Sequence, residues 1–175
     1  MAIDEDTPLN RYASTVPPDA LFTRLSDHLV SLSTFLASIP EEKAGFAYAP
    51  GKWTVRQLVG HIWVSQRIFV TRAVAIARGE TQSLPGYDEN VYAQGWPGAD
   101  ITLGELAAAY TAEAKITQFW YLLLEEEDLL REGVANEKRV RPEQILRALI
   151  GHETHHRNIL IERYGIEDTA SSRAS

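Results

Sequence analysis

The sequence of 175 residues contains no cysteine. This absence excludes disulfide bonds, thiolate ligands to a metal and a cysteine nucleophile. Any metal site in the chain must therefore be built from histidine, aspartate or glutamate side chains. A chain without cysteine also suits a reducing compartment, and we expect the protein to act in the cytoplasm.

Basic residues are also few, because 17 lysines and arginines stand against 24 aspartates and glutamates, for a net charge of −7. Nucleic-acid binding depends on clustered basic side chains that release counterions, so we expect no nucleic-acid partner. The sequence has no run of about 18 apolar residues that could cross a bilayer. Its acidic start, "MAIDEDTPLN", is unlike a signal peptide. We expect no membrane partner, and a small molecule as the substrate.

Helical periodicity is the main pattern that the sequence does contain. Four segments carry apolar residues at spacings of three and four, and two of these segments begin with a capping box. The boxes pair Thr54 with Gln57 and Thr102 with Glu105. The segments cover residues 17–39, 54–78, 102–126 and 142–164. No alternating strand pattern of useful length appears, so the sequence predicts an all-α fold, a four-helix bundle with a long connection between helices two and three.

The length is typical of one domain. We expect the bundle to occupy residues 15–165. An N-terminal extension, residues 1–14, would precede it. The polar ending "IEDTASSRAS" predicts a flexible C-terminal tail over residues 166–175.

Three of the five histidines lie in the segment "GHETHHRNIL", residues 151–160. Two of them, His152 and His156, continue the apolar series of the fourth helix and so take positions that otherwise face the core. One helical turn separates them, about 5–6 Å at Cβ, which allows both rings to reach one ion. Left unpaired in a core, each ring would cost about 1–3 kcal/mol. This cost favours metal ligation over a role as ordinary core histidines.

A third ligand must come from another helix. His61 lies beside Ile62 at the edge of the apolar stripe of the second helix, and we predict that it completes the site. His28, on the core face of the first helix, is the rival, and we interpret it as a partly buried structural or supporting histidine. His155 is turned one helical step away from His156, so we expect it to form a hydrogen bond or face a cleft without binding the metal.

A protease signature is the competing interpretation, because His152, Glu153 and His156 match the H-E-x-x-H pattern of zinc proteases. Those enzymes take a third ligand from residues that follow the motif. Here only 19 residues follow His156, and none is expected to return as a helix. The chain also lacks a predicted edge strand on which a peptide could align. We therefore reject proteolysis.

Two stretches resemble the DinB-like (DinB/YfiT-type) superfamily over nearly all of residues 15–165. They are "APGKWTVRQLVGHIWVSQRIFVTRAVAIARGETQSLPGYDEN" and "LRALIGHETHHRNILIERYG". The resemblance implies a four-helix bundle of the DinB/YfiT type, with an unusual helix order and a three-histidine site for a divalent metal. The family's helix-two histidine corresponds to His61, and its H-x-x-x-H pair to His152 and His156. The resemblance also implies a homodimer, and chemistry that ranges from thiol-dependent transfer and isomerisation to hydrolysis.

We therefore expect one divalent transition metal, zinc or nickel, with an open coordination position for water or a low-molecular-weight thiol. The predicted function is that of a metal-dependent, thiol-using S-transferase or a hydrolase. The alternative is a non-catalytic, metal-stabilised bundle that serves as an interaction or stress-response module.

Further side chains are candidates for the site. Glu153 is the candidate catalytic base. The alternative interpretation is that it is a solvated residue on the helix surface. Residues expected to line the cleft or support the ligands are His155, Tyr87, Asp88, Asn90 and Arg157. For the three loop residues among them, Tyr87, Asp88 and Asn90, the other interpretation is turn and packing chemistry. For Arg157 the other interpretation is that its side chain faces water.

Overall fold

The computed structural model describes residues 7–168 of the chain. Its helices are α1 (Pro8–Ala13), α2 (Leu21–Ala37), α3 (Val55–Ala77), α4 (Glu89–Ala93), α5 (Leu103–Leu122), α6 (Glu126–Leu130) and α7 (Pro142–Glu162). A 3-10 turn covers Glu41–Lys43, and an antiparallel hairpin pairs β1 (Gly133–Ala135) with β2 (Lys138–Val140). The long helices α2, α3, α5 and α7 form a four-helix bundle, which confirms the predicted fold class. Within the described range, no helix has both the length and the apolar character to cross a membrane.

Both predicted capping boxes are present. The Thr54 hydroxyl accepts a hydrogen bond from the Gln57 backbone at 3.2 Å, and the Gln57 side chain accepts one from the Thr54 backbone at 2.8 Å. Thr102 opens α5 in the same way. The predicted third helix, residues 102–126, is wrong at its end, because α5 stops at Leu122 and α6 begins at Glu126. The interruption lets the Asp128 carboxylate accept a hydrogen bond from the Glu125 backbone and cap the new helix.

The order of the helices around the bundle differs from that of a simple up-and-down bundle. Both α2 and α3 pack against α5 and α7, so α2 lies diagonally across from α3, and α5 lies diagonally across from α7. In the simple topology, helices that follow one another along the chain are neighbours. Here only α3 and α5 keep that relation, and the connections from α2 to α3 and from α5 to α7 cross the ends of the bundle. As a result α3 and α7, which carry the predicted ligands, lie side by side.

The core lies between these four helices and contains mostly leucine, isoleucine and aromatic side chains. Its largest fully buried members include Tyr110, Phe35, Leu25, Leu29, Leu32, Ile62, Ile145 and Leu149. They come from all four long helices, at the helical spacing that the sequence shows.

A short helix, α1, docks against α7 through part of the expected N-terminal extension. Arg147 donates hydrogen bonds to the carbonyl oxygens of Ala13 at 2.9 Å and Val16 at 2.8 Å. The approach is close because Gly151 has no side chain: a Cβ there would overlap the carbonyl oxygen of Tyr12. The helix thereby becomes a wall beside the histidine cluster of α7.

The described part of the expected C-terminal tail is packed on the bundle. Ile166 is only 3% exposed, and the Asp168 carboxylate accepts two hydrogen bonds from Arg157 at 2.8 Å each. The rest of that predicted tail, residues 169–175, and the first six residues of the predicted extension lie outside the described residues.

The β-hairpin is a feature that the sequence did not predict. Its strands have three residues each, too few to show an alternating pattern, and its turn uses Asn136 and Glu137 at φ angles of 50° and 62°. Leu84 pairs with the hairpin, donating to the carbonyl of Val134 at 2.9 Å and accepting from the amide of Asn136 at 2.8 Å. The long connection after α3 is therefore tied to the segment that precedes α7.

We predict that Gly151→Ala separates α1 from α7. The new methyl group has no room beside the Tyr12 backbone, so the free energy of unfolding should fall by about 1–3 kcal/mol despite the better helix propensity of alanine. Urea unfolding followed by circular dichroism measures this change.

Gly104→Ala is the matched control, because the nearest heavy atom to its new Cβ would be the Thr102 hydroxyl at 3.9 Å. It should leave stability unchanged or raise it by up to about 1 kcal/mol. Equal effects of the two substitutions would contradict the docking of α1 through Gly151.

Candidate metal centre

Three histidine nitrogens converge between α3 and α7. The Nε2 atom of His61 lies 3.1 Å from that of His152 and 3.2 Å from that of His156. The Nε2 atoms of His152 and His156 are 3.1 Å apart. Nitrogens bound tetrahedrally to one ion at 2.0–2.1 Å would lie about 3.3 Å apart. The triangle therefore has nearly the size that a shared metal ion requires.

The donor set also fits a metal by its chemistry. Burial lowers the pKa of His61 to about 4 and that of His152 to about 3, and it lowers the pKa of His156 as well. The three rings are therefore neutral at physiological pH, and a neutral ring has only one N–H to donate. Three such nitrogens facing one point cannot satisfy one another by hydrogen bonds alone, whereas a divalent cation accepts all three lone pairs.

Aromatic side chains surround the triad. The Trp53 ring lies 4.9 Å from the His61 ring, between centroids. The rings of Tyr12 and Phe69 lie nearly perpendicular to the His152 ring, at centroid distances of 5.3 Å and 5.4 Å. These rings restrict the orientation of the imidazoles and lower the polarity around them.

Hydrogen bonding at the other ring nitrogens is sparse. The Ser65 hydroxyl is 3.5 Å from Nδ1 of His61 and forms a 2.9 Å hydrogen bond with the hydroxyl of Tyr87. The Nδ1 atoms of His152 and His156 are buried and have no hydrogen-bond partner within residues 7–168. Ring packing therefore takes the place of hydrogen bonds at these two nitrogens: Tyr12 and Phe69 pack against His152, and His155 packs against His156.

A cleft of about 420 Å³ opens above the triad. All three histidines line it, together with Tyr12 of α1, Arg72 of α3 and the tip of the β-hairpin. The cleft is large enough for a small organic molecule, whose usual sites have volumes of about 300–1,000 Å³.

The loop after α3 contributes to the cleft through one of its three predicted residues. Tyr87 lines the cleft and is half-buried. Asp88 and Asn90 are exposed, and neither is part of the lining. Asp88 instead caps α4, where its carboxylate accepts hydrogen bonds from the backbones of Asn90 at 2.9 Å and Val91 at 3.1 Å. Turn chemistry is thus the role of Asp88.

The two remaining candidates on α7 lie outside the triad. His155 is exposed and packs against the rings of Tyr12 and His156, at centroid distances of 5.7 Å and 5.1 Å. Arg157 faces neither the cleft nor open water, because its guanidinium binds Asp168, donates to the Ser31 hydroxyl at 2.8 Å and lies over the Phe35 ring. It ties α7 to α2 and to the residues after α7.

Glu153 lies on a different face of α7 from the triad. Its side chain is fully buried, so the solvated interpretation is wrong. One carboxylate oxygen lies 2.8 Å from Nε2 of His28 and accepts a 3.0 Å hydrogen bond from the Tyr110 hydroxyl. Burial raises the pKa of Glu153. The residue is not part of the cleft lining, so it joins α7 to α2 and α5 and does not sit where a base would meet a substrate.

His28 is confirmed as a partly buried structural histidine, because its side chain is 11% exposed and is bound to Glu153. Several cleft residues were not predicted from the sequence, among them Tyr12, Phe69 and Arg72. The signal that could have found Tyr12 is Gly151, since a glycine inside an apolar helix often marks a close backbone approach.

Fold and site together define a class: a four-helix bundle with crossed connections, in which two adjacent helices present three histidines to a cleft. A family model described as the DinB superfamily matches residues 24–160. The chain belongs to this superfamily, as its resemblance to the DinB-like proteins implied.

Two solved structures from Bacillus subtilis have a similar fold. YfiT is described as a probable metal-dependent hydrolase with an unusual four-helix bundle topology; its TM-score is 0.70 at 20% identity, over 86% of this chain and 89% of that one. The DinB-like protein YjoA has a TM-score of 0.59 at 20% identity, over 84% of this chain and 91% of its own. A search of curated proteins finds no match to the chain.

We predict that Glu153→Ala destabilises the bundle but leaves the triad intact. Removal of the carboxylate leaves His28 and Tyr110 without their partner, which should lower the free energy of unfolding by about 2–5 kcal/mol. Chemical denaturation measures the loss, and metal analysis of the folded variant should give the wild-type value.

Glu153→Gln is the control, because it keeps the size of the side chain and one acceptor oxygen, and its loss of stability should be smaller. A variant Glu153→Ala with normal stability but no turnover would show instead that Glu153 acts in catalysis.

Proposed function

We propose that this protein is a metal-dependent enzyme. His61, His152 and His156 would hold one divalent transition metal, zinc or nickel, and the reaction would be hydrolysis or thiol-dependent group transfer on a small molecule. The observation that carries the proposal is the convergence of three neutral imidazoles at 3.1–3.2 Å on the floor of an open cleft. The description of YfiT as a probable metal-dependent hydrolase agrees with this assignment.

The open cleft supports catalysis over a purely structural metal. Structural zinc sites are closed by four protein ligands, whereas catalytic sites have three and leave a position for water or substrate. Among the described residues, the group that could hold an ion consists of the three histidines alone. When bound, the ion would lower the pKa of a coordinated water or thiol and so supply a nucleophile at neutral pH.

The chain's own residues would bind and orient the substrate. Trp53, Phe69 and Tyr12 provide apolar surface around the nucleophile and exclude bulk water. The Tyr87 hydroxyl, held by Ser65 at 2.9 Å, is a hydrogen-bonding group in the cleft next to the triad. Since Glu153 is remote from the cleft lining, no glutamate general base of the protease kind takes part in this proposal.

We further propose that the protein is a homodimer, as the resemblance implies. An apolar stripe along α5 and its C-cap residue supports a second copy as the partner. Its members are 39–63% exposed and lie three, four and seven positions after the first: Ile116, Phe119, Trp120 and Leu123. A twofold-related copy would present the same stripe, so the two surfaces match without any further partner. Action in the cytoplasm stays a prediction from the sequence.

The metal assignment predicts a selective loss of metal. Protein purified without an affinity tag should contain one zinc or nickel ion per chain, and the His61→Ala and His156→Ala variants should contain none. Elemental analysis measures the content. His155→Ala is the matched control, because this histidine is exposed, adjoins the triad and should be dispensable for binding.

Activity assays distinguish hydrolysis from thiol-dependent group transfer. Metal-loaded protein should accelerate either ester or amide hydrolysis or the transfer of a cellular thiol to an electrophile, and His61→Ala should lose this rate while it keeps its helical circular dichroism. Unchanged metal content in both triad variants would disprove the site. A variant that loses its fold together with the metal would point to a structural metal instead.

The dimer assignment predicts that Phe119→Glu yields a monomer, because a carboxylate on the α5 stripe would be buried in the interface. Light scattering after size-exclusion chromatography measures the mass. Val91→Glu is the control, since Val91 is 61% exposed on α4, outside the stripe. A monomeric wild-type protein would refute the proposed dimer.

A further inference from the structure

Basic side chains line the cleft of a protein that is acidic overall. The net charge of the chain is −7. Besides the neutral histidines, the cleft lining contains two basic residues, Arg72 and Lys138, and one acidic residue, Glu89. A small anion in this cleft would therefore meet basic side chains.

Arg72 lies on the same face of α3 as the ligand His61. Residues 61, 65, 69 and 72 follow one another at spacings of four, four and three, so they form one line along the helix. Along the axis, Arg72 is about 16 Å from His61. Its long side chain leans back toward the N-terminus of the helix, and its guanidinium carbon lies 5.8 Å from the centroid of the Tyr87 ring.

The hydrogen bonding of Arg72 is incomplete for a half-buried arginine. Its guanidinium donates one hydrogen bond, at 2.6 Å to the carbonyl oxygen of Pro85, and forms no ion pair within residues 7–168. A guanidinium has five N–H groups in a planar fork. By contrast, most other arginines in the described range pair with a carboxylate; Arg67, five residues earlier on α3, pairs with Glu113 at 2.9 Å.

Partial burial without an anionic partner is unfavourable for a charged group. Burial lowers the pKa of Arg72, which reflects the same cost. A substrate anion that paired with the guanidinium would remove this free-energy cost of burial. A carboxylate suits the planar guanidinium because the two groups can form two parallel hydrogen bonds.

We propose that Arg72 binds a carboxylate of the substrate and so determines its class: a small carboxylic acid with an apolar or aromatic body. The body would lie against Trp53, Phe69 and Tyr12, and the reacting bond would lie at the triad. The proposal rests on the proposed function for the position of that bond. The binding of the carboxylate itself depends on Arg72 alone.

Loop anchoring is the competing role of Arg72, because its hydrogen bond to Pro85 holds the segment that carries Tyr87. The two roles differ in what they predict for a neutral ligand. An anchor affects charged and neutral ligands equally, whereas an anion-binding residue affects only the charged one.

Calorimetric titration with matched probes tests the proposal. The probes are 3-phenylpropionate, its neutral amide 3-phenylpropionamide, and phenyl phosphate, titrated into wild type, Arg72→Gln, Arg72→Lys and the control Arg67→Gln. Wild type and Arg67→Gln should bind the carboxylate at least about tenfold more tightly than the amide. Arg72→Gln should abolish this preference without changing affinity for the amide, and Arg72→Lys should retain part of it.

The other outcomes each overturn the proposal. These are no preference for the carboxylate in wild type, a preference that survives in Arg72→Gln, an equal loss for both probes, and tighter binding of the phosphate than of the carboxylate. Titration of His61→Ala separates this proposal from the metal assignment. A carboxylate preference that persists there belongs to Arg72, whereas a preference that disappears with the metal shows that the carboxylate binds the ion.

Discussion

The candidate metal centre depends on the convergence of three neutral imidazole nitrogens, whose separations of 3.1–3.2 Å are close to those of ligands that share one cation. Two rings come from consecutive turns of α7, which any helix could provide. The third requires that α3 lie beside α7 in a fixed register. The crossed helix order supplies this neighbour relation by placing α2 diagonally across from α3. The unusual topology and the candidate metal centre are therefore one property of the fold.

Two adjacent residues of α7 belong to two different polar sites. His152 and Glu153 differ by about 100° around the axis, so one faces the cleft and the other faces the interior between α2 and α5. Glu153 holds His28 and Tyr110, which gives the core a specific polar contact in place of purely apolar packing. One face of α7 thus presents two of the candidate ligands to the cleft, while the other joins the helix to α2 and α5.

Periodicity was sufficient to predict the four long helices and the placement of the histidines, because a stripe of apolar residues records which face of a helix is buried. It could not predict how Glu153 is buried, since a polar residue in a core depends on partners 125 and 43 positions away in the chain. The β-hairpin and α1 were missed for a related reason. Each is too short for a period, and each is stabilised by contacts with distant segments such as Leu84 and Gly151.

The cleft has a layered construction. The nitrogens that would hold the ion belong to the two long helices, whereas much of the rim comes from short pieces: α1, the loop around Tyr87 and the hairpin tip at Asn136. These pieces pack on the bundle from outside its four long helices, although the hairpin residues Ala135 and Val140 are buried with the core. The shape of the cleft could therefore diverge during evolution by replacement of rim segments, while the inherited histidine cluster beneath them persists unchanged.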